Sequence, residues 1–268
     1  MARDLLLLVP PSEAKAPGGR RFTYRGVFDG PLDDARTEIR AALRSALRTP
    51  SVDAGKVFQV RGVLLHNALV ATTLLCDGNA PLLPAWRRYV GVVWDHLSPA
   101  SLRTSQRGRI LVPSALYGLT TAQDHIAEYR LKMNVQLEPV GGLAAFWRPR
   151  LTPLIIEHRP SATIVNLLPR EHAGAIDLVE VARHRKIISV PFLSWDGAKQ
   201  SGHDAKAAKG VLARRIVQEG LGALASFEWN GWSSETRDGV VTIVAPHRST
   251  RARRSNDLHE PGAARPGQ

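Results

Sequence analysis

Short apolar runs recur along the chain between turn-forming residues, and they predict β-strands. The first covers residues 5–10 and is ended by the two prolines at 10 and 11, which is typical of a buried strand that leaves its sheet into a loop. Similar runs are centred on Ile110 and Ile164, and two more occupy residues 186–193 and 240–246.

Apolar residues at helical spacing predict helices between these runs. Residues 31–48 begin with proline, carry two aspartates in the first turn and repeat apolar positions every three or four residues. Further helices are predicted over residues 63–75 and 86–97. Because helices alternate with strands, the pattern favours an α/β fold with a mixed sheet and helices packed on it.

Residues 201–217, with the sequence SGHDAKAAKGVLARRIV, predict an amphipathic helix. At about 100° per residue, Lys206, Gly210 and Arg214 share one side with Lys209 beside them. The opposite side carries Ala205, Ala208, Leu212 and Ile216. We expect the basic side to face outward, where it is either an ordinary solvated surface or a phosphate site.

Two details favour the phosphate site. Ser201 and Asp204 have the spacing of a capping box, which would open the helix and present its first amides close to the two lysines. Gly210 costs a helix roughly 1 kcal/mol relative to alanine, which is understandable if a ligand or a backbone must come close there. The predicted phosphate site consists of Lys206, Lys209, Gly210 and Arg214.

The charge balance narrows the class of partner. Thirty-six Lys and Arg against 24 Asp and Glu leave a net charge of +12, so long-range attraction is toward polyanions such as nucleic acid, anionic lipid or acidic protein. Residues 247–268 hold five arginines against Asp257 and Glu260, a surplus of three, so most of the excess lies before them. Their richness in Arg, Pro, Gly and Ser predicts a disordered basic tail.

Several classes of protein and site are disfavoured. Cys76 is the only cysteine, so an intrachain disulfide and a CxxC metal site are excluded. Neither HExxH, ExxH nor GxSxG occurs, so we expect no metal, no cofactor and no α/β-hydrolase nucleophile. No apolar stretch approaches the roughly 20 residues that span a bilayer, and the N-terminal run is too short for a signal-peptide core. We expect a soluble cytoplasmic protein with no membrane partner.

The loop PPSEAK, residues 10–15, is the first candidate for chemistry. It places Ser12, Glu13 and Lys15 after a predicted strand, where open α/β sheets often hold ligand groups. A glutamate and a lysine two residues apart can serve as acid, base or anion anchor. The alternative is a turn with a surface ion pair, and the glycines of a phosphate-cradling Walker loop are missing.

Residues 115–134 are the second candidate, because they mix aromatic and basic side chains. Tyr117 precedes Gly118 in a predicted turn, and Tyr129, Arg130 and Lys132 follow. Aromatic rings with neighbouring cations suit base stacking combined with phosphate contact. The alternative is a core tyrosine beside a surface arginine.

Together these stretches resemble the YaaA family of peroxide stress proteins. The similar motifs occur in the family's order: PPSEAK at 10–15, YVGVVWDHL at 89–97, SALYGLTTAQDHIAEYRLKM at 114–133, FW at 146–147, IVNL at 164–167, KAAKGVLARR at 206–215 and FEWNGW at 227–232. The chain departs from the family pattern at TTAQ, residues 120–123, where arginine-proline-leucine is usual, and at Asn134, where glycine is usual.

The resemblance implies one α/β domain, here residues 1–246, with an unusual fold, a helix-hairpin-helix-like element and a positively charged cleft. It further implies DNA binding in the cytoplasm and a role in limiting oxidative damage through lower free iron. A helix-hairpin-helix needs a glycine-containing turn whose amides meet phosphate oxygens, and residues 116–119 are the local candidate. Since no residues suggest an iron-storage site, we expect the effect on iron to be indirect.

Two hypotheses follow. The first is a DNA-binding protein that contacts duplex phosphates with little sequence specificity. The phosphate contacts are predicted for Lys15, Arg130, Lys206, Lys209, Gly210 and Arg214. The second is an enzyme acting on a nucleotide, nucleobase or damaged DNA. Its candidate catalytic residues are Ser12, Glu13, Lys15, Tyr117, Tyr129 and Arg130. RNA or a nucleotide remains an alternative partner.

Overall fold

The predicted strands lie in two sheets of the structure, which is a computed structural model. The structure describes residues 4–49, 52–237 and 239–246. The strands of this described part are β1 (Leu5–Leu8), β2 (Leu82–Pro84), β3 (Ile110–Ser114), β4 (Gly118–Thr121), β5 (His125–Ala127), β6 (Gln136–Leu137), β7 (Gly141–Gly142), β8 (Thr163–Asn166), β9 (Ile187–Ser189), β10 (Phe192–Leu193), β11 (Glu228–Trp229), β12 (Trp232–Arg237) and β13 (Val240–Val244).

The helices surround and connect these strands. They are α1 (Asp33–Arg48), α2 (Ala54–Phe58), α3 (Gly62–Cys76), α4 (Ala85–Arg88), α5 (Val92–Leu97), α6 (Thr104–Arg107), α7 (Leu143–Glu157), α8 (Arg170–Ala173), α9 (Leu178–His184), α10 (His203–Glu219) and α11 (Gly222–Ala225), with a 3-10 turn at Pro99–Ser101. None of the helices in the described ranges is long and apolar enough to cross a membrane.

The larger sheet is mixed, and it confirms the predicted α/β class. Its strand order within the described residues is β4-β3-β1-β8-β9. Strand β1 pairs in parallel with β3 and with β8, β9 continues the parallel set, and β4 adds an antiparallel edge. All four leucines of β1 are buried, as expected for a central strand covered on both faces.

The run at residues 186–193, predicted as one strand, is divided between the two sheets. Strand β9 belongs to the larger sheet, whereas β10 pairs with β13 in the smaller sheet, β10-β13-β12-β11. Pro191 lies at the division. It has no N–H to continue the first ladder, and its carbonyl accepts a 2.9 Å bond from the Ile243 amide of the second sheet.

The helix predicted over residues 86–97 is also divided, into α4 and α5. Lys15 and Tyr89 form an isolated antiparallel bridge, which draws the chain out of helical geometry. Gly91 has φ of +117°, a value that an L side chain rarely adopts. This interruption fixes the PPSEAK loop, because the Ala16 amide donates to Arg88 carbonyl oxygen and the Val90 amide donates to Ala14 carbonyl oxygen.

The turn at residues 116–119 does not join two helices. It connects β3 to β4, which are antiparallel, so the helix-hairpin-helix predicted there is wrong. Leu116 and Leu119 are buried in the core. Gly118 has φ of +70°, and a Cβ there would lie 2.6 Å from the Trp147 ring, so the glycine is required by packing.

In helix α10 the apolar side faces the core as predicted, but the prediction for the basic side is wrong at Gly210. Its apolar side is buried, but Gly210 is buried as well. A Cβ at Gly210 would lie 2.7 Å from His96 Cβ and still closer to the Val93 carbonyl oxygen, so the glycine lets α10 pack closely on α5. The predicted capping box is also wrong, because the N-cap residue is Gly202 and no side chain caps the helix.

We predict that Gly210→Ala lowers the free energy of unfolding by about 1–2 kcal/mol. Alanine gains about 1 kcal/mol in helix propensity, but overpacking against a backbone oxygen costs more than this gain. Urea denaturation measures the difference. Gly222→Ala is the matched control, since that helical glycine has no heavy atom near its missing Cβ. Equal stability of the two variants would contradict the packing role of Gly210.

Candidate functional site at the carboxyl edge of the central sheet

The parallel strands bring polar residues together at one edge of the larger sheet. The PPSEAK loop follows β1, Ser114 ends β3, and His172 lies shortly after β8. Because β1, β3 and β8 run in the same direction, their carboxyl ends share this edge. After β1 the chain adds β3 and β4 on one side, and later it adds β8 and β9 on the other side. Open α/β sheets often bind ligands at the point where the strand order reverses in this way. We call this cluster the carboxyl-edge site.

Lys15 occupies the centre of the carboxyl-edge site. Its Nζ donates to the Ser12 carbonyl at 2.8 Å and lies 4.0 Å from the centre of the Tyr129 ring and 5.6 Å from that of Tyr89. Burial, followed by the positive charge of Arg130, lowers the pKa of Lys15 from 10.5 to about 7. At neutral pH about half of the amine is therefore uncharged and able to act as a base or nucleophile.

The loop that carries Lys15 is held by its neighbours rather than by its own turn. The Ser12 hydroxyl donates to the Val90 carbonyl, and the fully buried Arg88 side chain donates to the carbonyls of Ala16 and Gly18. These bonds explain how a half-buried amine is kept against aromatic rings. They also explain why the PPSEAK motif alone did not identify the environment of its lysine.

A chain of buried hydroxyl groups lies beneath Lys15. Ser114 Oγ is 2.8 Å from the Tyr129 hydroxyl, which is 2.9 Å from the Tyr89 hydroxyl. Burial is the main cause that raises the pKa of Tyr129 to about 12, so the hydroxyl is protonated at neutral pH. The Tyr117 ring packs edge-on against Tyr129 at 5.6 Å, but its hydroxyl accepts from the Ala127 amide at 2.8 Å. Tyr117 therefore borders the site through its ring.

Glu13 links the PPSEAK loop to Arg130 and Lys132, the two cations that follow Tyr129. Its carboxylate lies 3.1 Å from Arg130 Nη2 and 3.1 Å from Lys132 Nζ. Among the described residues, Arg130 Nε is buried and has no hydrogen-bond partner. A second acid, Glu128, also acts on Lys15 and raises its pKa more than Glu13 does. Two acids therefore oppose the charges of Arg130 and Lys132, and an anion would be bound through the hydrogen-bond donors of these two cations.

His172 and Lys209 border the site from the β8 side. Burial is the main cause that lowers the pKa of His172 to about 4, Glu13 opposes this shift, and Lys209 and Lys15 add to it. Its Nδ1 is buried without a hydrogen-bond partner. Burial, then Lys206, lowers the pKa of Lys209 to about 8. Sequence reasoning missed His172, although its position six residues beyond the β8 strand was a usable signal.

The structure thus brings most of the predicted catalytic residues into one cluster. Ser12, Glu13, Lys15, Tyr129 and Arg130 contact one another directly or through one neighbour, as described above. The predicted phosphate residues of α10 are divided. Lys206 is exposed and electrostatically coupled to Lys209, whereas Gly210 is buried against α5 and cannot face a ligand. Arg214 lies roughly 12 Å along the helix axis from Lys206.

A second feature, which we call the helix hairpin, consists of α2, residues 59–61 and α3. Gln59 and Gly62 adopt positive φ values of 54° and 56° at the turn, and a Cβ on Gly62 would meet no atom. The side chain of the N-cap residue, Arg61, makes no capping hydrogen bond to α3. The side chains of Lys56 and Arg61 are exposed, as are the apolar side chains of Val63 (75%) and Leu64 (55%).

The helix hairpin is connected to the carboxyl-edge site. Gln59 Nε2 donates to Asn134 Oδ1 at 3.2 Å, and Asn134 lies four residues from Arg130. Four residues of extended chain span at most about 14 Å. Asn134 therefore lies beside the helix hairpin and within about 14 Å of Arg130.

A cleft of about 520 Å³ has Tyr117 in its wall but does not include Lys15. Arg36 and Asp124 also line it, and both are satisfied within the protein: Arg36 donates to backbone carbonyls and pairs with Asp29, and Asp124 accepts from the Tyr24 hydroxyl and two amides. These residues support the fold. Burial also shifts the pKa values of Tyr24 and His125 in this cleft, but the lysine with a lowered pKa and the buried histidine lie at the carboxyl-edge site. The described residues hold no group of three or more metal-ligating side chains.

Comparison with known proteins finds relatives along most of the chain. The model of the family described as "Peroxide stress protein YaaA" matches residues 5–237. A UPF0246 protein of Streptomyces coelicolor is 31% identical over 223 residues, which are 81% of this chain and 84% of the relative. A UPF0246 protein of Corynebacterium efficiens is 30% identical over 226 residues, covering 80% and 85% of the two chains. The matched stretch contains the carboxyl-edge site and the helix hairpin.

We predict that Glu13→Gln lowers the pKa of Lys15 further and that Arg130→Gln raises it. The negative charge of Glu13 favours the protonated amine, and the positive charge of Arg130 disfavours it. An NMR titration of the lysine side-chain resonances measures both shifts. Glu180→Gln, a charge change on α9 that does not contribute to the pKa of Lys15, is the control. Shifts of Lys15 in the same direction in both variants would contradict the described cluster.

Proposed function

Since this chain belongs to the YaaA family of peroxide stress proteins, we propose that it is a DNA-binding protein of the peroxide stress response. It contacts the phosphate backbone of duplex DNA and discriminates little between sequences. Limitation of iron-dependent damage follows indirectly from this binding.

The helix hairpin is the observation that carries this proposal. The amides of the first turn of a helix need partners, and a phosphate supplies negative charge at the positive end of the helix dipole. In α3 the N-cap residue, Arg61, supplies no side-chain cap to these amides, and the turn before them is open to solvent. Lys56 and Arg61 are exposed cations beside that turn. A pair of helices joined by a short turn with these exposed amides and cations suits contact with a DNA backbone.

The neighbouring charges extend the proposed surface. Gln59 contacts Asn134, and the chain leads from there to Lys132 and Arg130. Each strand of a duplex carries one phosphate per 3.4 Å of axis. A DNA backbone bound at the helix hairpin would therefore place several phosphates along the span of up to about 14 Å between Asn134 and Arg130. The net charge of +12 supports attraction at longer range.

An enzyme acting on a nucleotide, nucleobase or damaged DNA is the second candidate. The observation in its favour is the partly neutral Lys15 amine against Tyr129, because strongly shifted pKa values cluster at catalytic sites. The two candidates are compatible, since the helix hairpin would bind DNA and the carboxyl-edge site would act on it. RNA would compete with duplex DNA for this surface only if the phosphate contacts form equally well on A-form and B-form helices.

We predict that Lys56→Ala/Arg61→Ala reduces the slope of log affinity against log salt by roughly 2, because each lost phosphate contact removes about one unit. Fluorescence anisotropy with a labelled duplex, titrated between low and high salt, measures the slope. Arg183→Ala/Lys186→Ala is the control. It removes the same charge from residues that precede β9, at the amino edge of the sheet.

Three further results bear on the proposal. Duplex binding by the wild-type protein that ignores salt would refute it, as would a complete failure to bind at low salt. An unchanged slope in the hairpin variant would move the contact elsewhere, and Lys206→Ala/Lys209→Ala then tests the α10 lysines. Unlabelled RNA that displaces the duplex at equal concentration would favour a general polyanion-binding protein.

A further inference from the structure

We propose that Lys15 forms an imine with the C1′ aldehyde of an abasic deoxyribose in DNA, and that the strand is cleaved by β-elimination through this imine. The proposal rests on the DNA binding proposed above and names the substrate of the carboxyl-edge site. An abasic nucleotide is the substrate class because it combines an aldehyde, which an amine attacks, with flanking phosphates, which cations bind.

The position of Lys15 favours nucleophilic chemistry over phosphate binding. A lysine that binds phosphate is usually a charged, solvated group, whereas Nζ of Lys15 lies against the faces of Tyr89 and Tyr129. Within the described residues, Lys15 Nζ donates to the carbonyl oxygens of Ser12 and Glu13, at 2.8 and 3.4 Å. These contacts orient the amine and leave its lone pair, once a proton is lost, for a carbonyl carbon. Desolvation of this kind activates lysine as a nucleophile.

The cations around Lys15 are placed for the phosphates of such a nucleotide. Arg130 and Lys132 lie on one side and share Glu13. Lys209 lies toward His172 on another. Deoxyribose without a base is small and carries a phosphate on each side, so its C1′ can approach Lys15 while the phosphates remain at the cations. An intact nucleotide has no free aldehyde and cannot react in this way.

Each step balances without an oxidant or reductant. The Nζ lone pair attacks C1′, a C–N bond forms, the C=O π electrons move to oxygen, and a proton passes from the nitrogen to that oxygen. The resulting hydroxyl group takes a second proton from a donor and leaves as water, and the nitrogen lone pair forms the C=N bond of the protonated imine. A proton is then lost from C2′, the C3′–O bond breaks, and the 3′ phosphate leaves with the bonding electrons. Water hydrolyses the unsaturated imine and restores the Lys15 amine.

The proton transfers have partners in the site. The protonated Tyr129 hydroxyl, joined to Ser114 and Tyr89, is a proton donor for the departing oxygen. Burial lowers the pKa of His172 to about 4, so its ring is neutral at pH 7 and is the proton acceptor on the Lys209 side of the site. The shared positive charge of Arg130 and Lys132 stabilises the leaving phosphate.

Borohydride trapping tests the proposal directly. The purified protein is incubated with a labelled duplex that contains one abasic site, and sodium borohydride reduces any imine to a stable amine. We expect a covalent complex on a denaturing gel, and peptide mass spectrometry should locate the adduct on Lys15. Without borohydride we expect cleavage on the 3′ side of the abasic site. The initial rate should rise with pH and reach half its maximum near pH 7, because only the neutral amine reacts.

Matched variants separate chemistry from charge. Lys15→Arg keeps a cation but cannot form an imine, so trapping should fall at least 100-fold while binding to intact duplex is retained. Lys186→Arg, an exposed lysine just before β9, should trap as the wild type does. If Lys15→Arg does not fold, the mapped adduct on the wild-type protein still decides the question.

The outcomes distinguish this proposal from the proposed function. Salt-dependent binding of intact duplex without trapping of the abasic duplex overturns the imine and leaves DNA binding in place. An adduct that maps to lysines other than Lys15, or a rate that follows an ordinary lysine pKa near 10.5, also overturns it. Absence of binding to either duplex would refute the proposed function itself.

Discussion

The buried guanidinium of Arg88 is the constraint on which the carboxyl-edge site depends. Its donors reach the carbonyl oxygens of Ala16, Gly18, Pro81 and Ile126. One side chain therefore joins the loop after β1 to the backbone around β2 and β5. Release of any one of these carbonyls would leave a buried guanidinium donor without its acceptor, which is costly. The positive charge of Arg88 also contributes to the lowered pKa of Lys15, so the same group holds the loop and adjusts its chemistry.

Much of the fold follows from local patterns in the sequence. Strand β1 and helix α1 were predicted nearly to their ends because burial on both faces and an amphipathic period each leave a direct trace in the residues. The breaks at Tyr89–Gly91 and Pro191 were missed for another reason. Each results from pairing with a distant segment, Lys15 in one case and Ile243 in the other, and a local pattern does not show which partner a backbone will find.

The site was also predicted in part: the residues that belong to local motifs were found, and the contacts that depend on distant segments were not. The motifs identified Lys15, Tyr129 and Arg130, which the fold brings together from the loop after β1 and the segment after β5. Helical spacing placed Gly210 on the basic side of α10, but spacing does not say which neighbour covers a position, and α5 covers this one. His172 was missed because a lone histidine carries no pattern of its own. Its meaning comes from the strand that ends before it and from the lysines that a folded chain places around it.

The contact between Gly210 and α5 limits how this family member can change over time. A collision with a side chain can be relieved by a smaller residue at the second position, so two such positions can drift together. The atom that faces Gly210 most closely is the carbonyl oxygen of Val93, and no substitution at position 93 removes a backbone oxygen. A larger residue at position 210 therefore has no compensating substitution at position 93.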